Sequence, residues 1–257
     1  MALQSAARLP IRRVMSWMAL IAIGAMCLAT GTVGVRLLAV WWRTRESPEL
    51  HVGIALLTVG PIGFALTGLS EPLAAVHPDL GRVTWALAAA GLNLGSALIF
   101  LFTTEVFYSL SLRAKDCALF FGVWMALLWA SEIPVTGYDA EGMAGWPTRV
   151  SDFMRAFALL WAGAMSLKHQ GLVRRRLAIG LGDPVASDRL LLWGMGIGSA
   201  GLVCLLDASA KVMGFSMFHT PALLLLDTFA GFSASICLYL AFVAREPLAW
   251  LREPAFD

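Results

Sequence analysis

Charged residues are scarce in this chain. They make up 14% of its 257 residues, against about a quarter in an ordinary soluble domain. The net charge is only +2, and the basic residues sit at the edges of apolar runs, which excludes a nucleic-acid surface. Cysteine is limited to Cys27, Cys117, Cys204 and Cys237. Each lies in or beside an apolar run and none shows CxxC spacing, so they read as small packing residues. His51, His77, His169 and His219 form no HxxxH or HExxH pattern. No metal site, cofactor or catalytic residue is expected from them.

What is present is apolar sequence. The chain is 59% hydrophobic, with a mean hydropathy of +0.75. Seven apolar segments use up almost the whole length, so no soluble domain is left over. The expected fold is all-α, a polytopic bundle of seven transmembrane helices in one domain. The helices are expected at about 15–42, 49–70, 83–108, 117–136, 151–176, 188–212 and 221–243, each near the roughly 20 residues that a bilayer requires.

The stretch at 168–189, KHQGLVRRRLAIGLGDPVASDR, orients the rest. A dense Lys/Arg loop between two apolar spans marks the cytoplasmic side. Seven spans then leave seven basic residues on one side and twelve on the other, which predicts the N-terminus out and the C-terminus in. The first segment has a basic start like a signal peptide, but its apolar run continues through GVRLLAVWW and reads as a retained helix.

Local signals refine the helices. Ser47 is a candidate cap, with Pro48 and Glu49 suited to the first turn. Pro61 predicts a kink. The segment 71–82, EPLAAVHPDLGR, reads as a polar loop. The fifth helix meets no breaker between Ser151 and Gly171, so it should run past the bilayer to about Arg176, until Gly180 or Gly182 stops it. Ser187 or Asp188 is expected to cap the sixth.

Three stretches, RTRESPELHVGIALLTVGPIGFAL, RRRLAIGLGDPVASDRLLLWG and LYLAFVAREPLAWL, resemble the corresponding parts of a family of uncharacterised bacterial seven-helix membrane proteins. The tail differs, with Val243-Ala244-Arg245-Glu246-Pro247 where the family has a proline pair. The resemblance implies seven helices and a bacterial inner membrane. It implies no activity and no functional residues.

Two motifs are weighed and set aside. Gly196, Gly198 and Gly201 spell GxGxxG, but within a helix and with no preceding strand, so close helix packing is the reading rather than nucleotide binding. The segment around Asp207 and Lys211 resembles the retinal-lysine segment of microbial rhodopsins, but it lies at the end of the sixth helix rather than mid-seventh. An i,i+4 ion pair is the simpler account.

Charges within apolar spans carry the functional expectation, because each must find a partner or water. Asp227, Asp207, Lys211, Arg155 and Glu132 are expected near the outer ends of helices 4 to 7, as an ion-pair cluster or ligand pocket. Asp227 should point into the bundle and meet Lys211 or Arg155. Glu105 is an inner-side carboxylate. Arg174, Arg175 and Arg176 form a surface for a cytoplasmic protein partner. The leading functional reading is a sensor or receptor-like module with an outward polar pocket. The alternative is a small proton- or ion-coupled transporter, which usually shows repeats and paired helix breaks. An intramembrane enzyme is less supported.

Overall fold

Prolines mark where the helices begin. Pro48, Pro78, Pro147, Pro184 and Pro221 each stand at the first or second position of a helix, where a missing N–H breaks no hydrogen bond. The computed structural model describes residues 2–136, 145–214, 220–244 and 248, with side chains for all of these except 2–19, 71 and 221. Arg8, Arg12, Arg13, Arg245 and Arg252, counted in the threading, and His219 lie outside the described side chains.

Seven helices are described: α1 Ala2–Thr44, α2 Ser47–Val76, α3 Pro78–Phe107, α4 Leu112–Thr136, α5 Trp146–Leu177, α6 Pro184–Val212 and α7 Pro221–Val243. No strand occurs among the described residues. Six helices are long and apolar enough to cross a membrane, which identifies an integral membrane protein with a helical bundle. The seventh, α5, falls short in apolar character because Arg149, Asp152 and Arg155 load one end and Lys168 and three arginines the other.

Helices consecutive in sequence run antiparallel, and the seven close a ring in which α1 lies parallel to α7. α1 packs on α2 and α7, and α3 packs on α2, α4 and α5, while α5, α6 and α7 follow in sequence. The core joins Val33, Val52, Leu56, Ile99, Leu159, Trp193, Ile197 and Leu238 from six helices. Trp193 stands edge-on to Phe102 of α3 and Phe242 of α7, at 5.8 and 5.3 Å between ring centroids. Arg36 of α1 donates to the Val243 carbonyl at the end of α7 over 3.1 Å, which satisfies an orphan carbonyl where the helix dipole favours a cation. Leu28, Phe120 and Phe229 face outward and are largely exposed, as a lipid-facing surface requires.

Glycines set the closest helix approaches. A Cβ at Gly91 would lie 2.9 Å from the Thr58 carbonyl oxygen, and one at Gly95 2.9 Å from that of Ala55. The GxxxG of α3 is therefore a seat for α2. A Cβ at Gly163 would lie 2.8 Å from the Gly198 Cα, and one at Gly201 2.8 Å from the Leu160 nitrogen. Gly196 faces Cys237 and Leu238 of α7 instead. The GxGxxG letters thus pack α6 against both neighbours.

Several expectations are corrected. The loop read at 71–82 is helix almost throughout. α2 continues through Pro72 to Val76, and only His77, in an extended conformation, separates it from α3. Membrane helices tolerate interior prolines when neighbours satisfy the freed groups. α1 begins at Ala2 rather than near residue 15, and α4 at Leu112 rather than 117. The N-cap of α2 is Glu46, and no side chain caps it. Asp183, not Ser187 or Asp188, caps α6, with its carboxylate accepting from the Val185 N–H at 2.9 Å. Pro184 fixes this choice, because it fits the first helical position next to an Asp cap.

Pro61 is accommodated by a π-helical segment, Thr58–Phe64. The wider turn lets the Ala65 N–H reach the Gly60 carbonyl, and the Cys27 thiol of α1 donates to the same oxygen over 3.4 Å. α5 runs unbroken from Trp146 to Leu177, as its lack of breakers predicts. The chain turns at Gly180, whose φ of +73° suits glycine.

Candidate functional site

The charged side chains at the start of α5 and the end of α6 form an alternating ladder. Arg155 donates to Asp152 one turn earlier on α5. The other Asp152 oxygen accepts from the Lys211 ammonium of α6 at 2.8 Å. Lys211 also reaches Asp207, one turn away on its own helix, at 2.7 Å. The antiparallel register of α5 and α6, fixed by their glycine contacts, places these groups at one level.

Burial decides what the ladder is worth. The Asp152 side chain is only 6% exposed and that of Arg155 11%. Each charge alone at mid-membrane would cost about 2.5–3.5 kcal/mol on insertion scales. Opposite charges in contact offset most of that, and loss of one partner leaves the other stranded. Lys211 and Asp207 are both 28% exposed and form the wetter end.

Glu132 of α4 lies within electrostatic reach of Arg155 and is 3% exposed. Its Oε2 accepts from Thr136 at 2.7 Å, whereas its Oε1 is buried with no hydrogen-bond partner among the described residues. Asp227 of α7 lies within electrostatic reach of Asp207 and is half-buried. The expected contact of Asp227 with Lys211 or Arg155 is not made. Asp152 holds both cations instead, and Asp227 has no ion pair among the described residues.

Asp152 is thus the member that sequence reasoning missed. The signal was there: Asp152 and Arg155 stand at i,i+3, a spacing that shares a helix face.

Glu105 occupies the opposite end of the bundle. Its Oε2 lies 2.8 Å from His51 Nδ1 of α2 and 3.5 Å from the Ser47 hydroxyl. Ser47, expected to cap α2, turns its side chain to this carboxylate instead. Both members of the pair are about one-fifth exposed. Arg174, Arg175 and Arg176 are exposed in the last turn of α5 at the same end. A groove of about 500 Å³ lies elsewhere, between α1 and α7, lined by Ala29, Thr32, Ser235 and Tyr239 among others. It opens on the apolar outer face rather than on the charged ladder.

Among the described residues, no three His, Cys, Asp or Glu side chains are grouped to hold a metal ion. No family model, no curated protein and no solved structure matches this chain.

Proposed function

We propose that this chain is a seven-span sensor or receptor-like module of a bacterial inner membrane, with its N-terminus outside and its C-terminus inside. The observation that carries the reading is the continuity of α5. One unbroken helix bears the buried Asp152–Arg155 pair near one end and three exposed arginines at the other. A ligand that altered the Asp152–Lys211 contact would tilt α5 against α6 about the close Gly163–Gly198 approach. The basic end would then move as the output.

Near the ladder, Glu132 Oε1 has no hydrogen-bond partner and Asp227 no ion pair among the described residues. A small ligand that donates hydrogen bonds, or a proton, suits them. The reading is tested by hydrogen exchange on the purified Asp152→Asn protein. Exchange should rise about tenfold across 170–182 as well as at 148–158, given coupling on the order of 1–3 kcal/mol. Change confined to the neighbourhood of residue 152 would remove the transmission step.

One observation favours transport as a second reading. The ladder and the His51–Glu105 pair place ionisable groups at both ends of a closed ring, with an apolar core between. Reconstituted vesicles carrying a pH-sensitive dye separate the two. Proton flux lost in Glu105→Gln supports transport, and flux no greater than in empty vesicles supports the sensor.

A further inference from the structure

We propose that the C-terminal end of α5, with the turn that follows it, is a binding surface for the phosphate headgroups of anionic lipids. The proposal rests on α5 crossing the bilayer, as in the threading above, and it names what the basic output end touches.

The level of the arginines carries the argument. α5 has 32 residues, which at about 1.5 Å per residue is about 48 Å. The hydrocarbon core is about 30 Å thick, and about 40–45 Å with its headgroups. Centred on the bilayer near Trp161, the helix places Arg175 about 20 Å from the midplane at that rise. This is the headgroup level. Arginines there meet lipid phosphate before they meet any soluble protein.

The chemistry agrees. Arg174, Arg175 and Arg176 are all exposed, and the last turn contains no carboxylate. Exposed Lys168 lies just below them. The next acid along the chain, Asp183, is engaged by the Val185 N–H. Guanidinium forks match phosphate oxygens two at a time. Ile179 is 69% exposed and Leu181 76%, so two large apolar side chains stand free beside the arginines. Basic and apolar groups together suit the boundary between headgroups and acyl chains. The apolar pair would have no such contact in open water.

The test uses the full-length protein reconstituted in bilayer discs of phosphatidylcholine with a minority of phosphatidylglycerol. The lipid retained on mild detergent extraction is counted by native mass spectrometry. The wild type should retain phosphatidylglycerol in preference to phosphatidylcholine. Arg174→Gln, Arg175→Gln and Arg176→Gln together should remove most of that preference, at up to about fivefold for each arginine. Arg113→Gln with Lys115→Gln, at the start of α4, should leave most of it. On the wild type alone, the preference should fall as salt rises from about 0.1 M to about 1 M, where the screening length shrinks from about 10 to about 3 Å. This arm holds even where the triple variant fails to fold. Undiminished preference in a folded triple variant overturns the proposal, as does a preference that salt does not touch. A triple variant that keeps its lipid but loses a protein partner assigns the surface to that partner and also overturns it. Discs are open on both faces, so a failure of the threading appears only in reporter fusions and is separable from a failure of lipid binding.

Discussion

Asp152 on α5 and Lys211 on α6 approach to 2.8 Å across 59 positions of sequence. This bond ties the two helices at the level where both chain ends of the pair leave the bundle. It also makes Asp152 the one residue shared by Arg155 and Lys211.

The first prediction follows from that sharing. Asp152→Asn should destabilise the protein by about 3–5 kcal/mol, as expected when a buried pair loses one member. Lys211→Met should cost less, because Lys211 is partly exposed. The double variant should show a coupling of about 1–3 kcal/mol. Unfolding in a mild detergent measures all three. Additive effects would mean that the two groups do not act as a pair.

Glycines on α5 provide a second prediction with opposite signs at two sites. Gly163 touches α6 so closely that Gly163→Val should cost about 1–3 kcal/mol by overpacking. Gly171 has open space around a Cβ, so Gly171→Ala should stabilise by up to about 1 kcal/mol through helix propensity. Thermal unfolding of the two variants should move in opposite directions.

A third prediction concerns the far end. His51 and Glu105 are each about one-fifth exposed, so His51→Ala and Glu105→Gln should show a coupling of only about 0.2–1 kcal/mol. A coupling as large as that of Asp152 with Lys211 would show that this pair is shielded from water in the membrane.

The threading is the fourth. Reporter fusions after Arg176 and at the C-terminus should both read cytoplasmic, and one after His77 should read external. The opposite result at any of these positions breaks the seven-span reading.

Helix existence was legible in the sequence, and so were ends that carry a local stop. α7 begins at Pro221 and ends at Val243 as expected, and α5 continues until the turn at Gly180. The α2–α3 connection was not legible, because its prolines look like loop residues unless their neighbours are known. The ladder was half legible. Asp207 and Lys211 share a face by spacing alone. The contact of Lys211 with Asp152 across helices was not legible, because spans that are apolar all round carry little signal about which face turns inward. Glu105 was legible as a charge near the C-terminal end of its helix, but its pairing with His51 depends on the rotation of α2 about its axis. That rotation is set in part by the π-helical segment, which the letters Gly-Pro-Ile-Gly do not specify.

The single residue His77 between α2 and α3 also has a consequence for biogenesis. With no loop between them, α2 and α3 form a tight hairpin, zipped along Gly91 and Gly95. Its contacts lie within one stretch of about 60 residues, so it can close before the chain that follows is made. The Gly60 carbonyl in the π-helical segment already accepts from Ala65 within the hairpin. Its second donor, Cys27, comes from α1, made earlier and waiting. The Gly60 carbonyl thus ties the first three helices to one another before any later helix is needed.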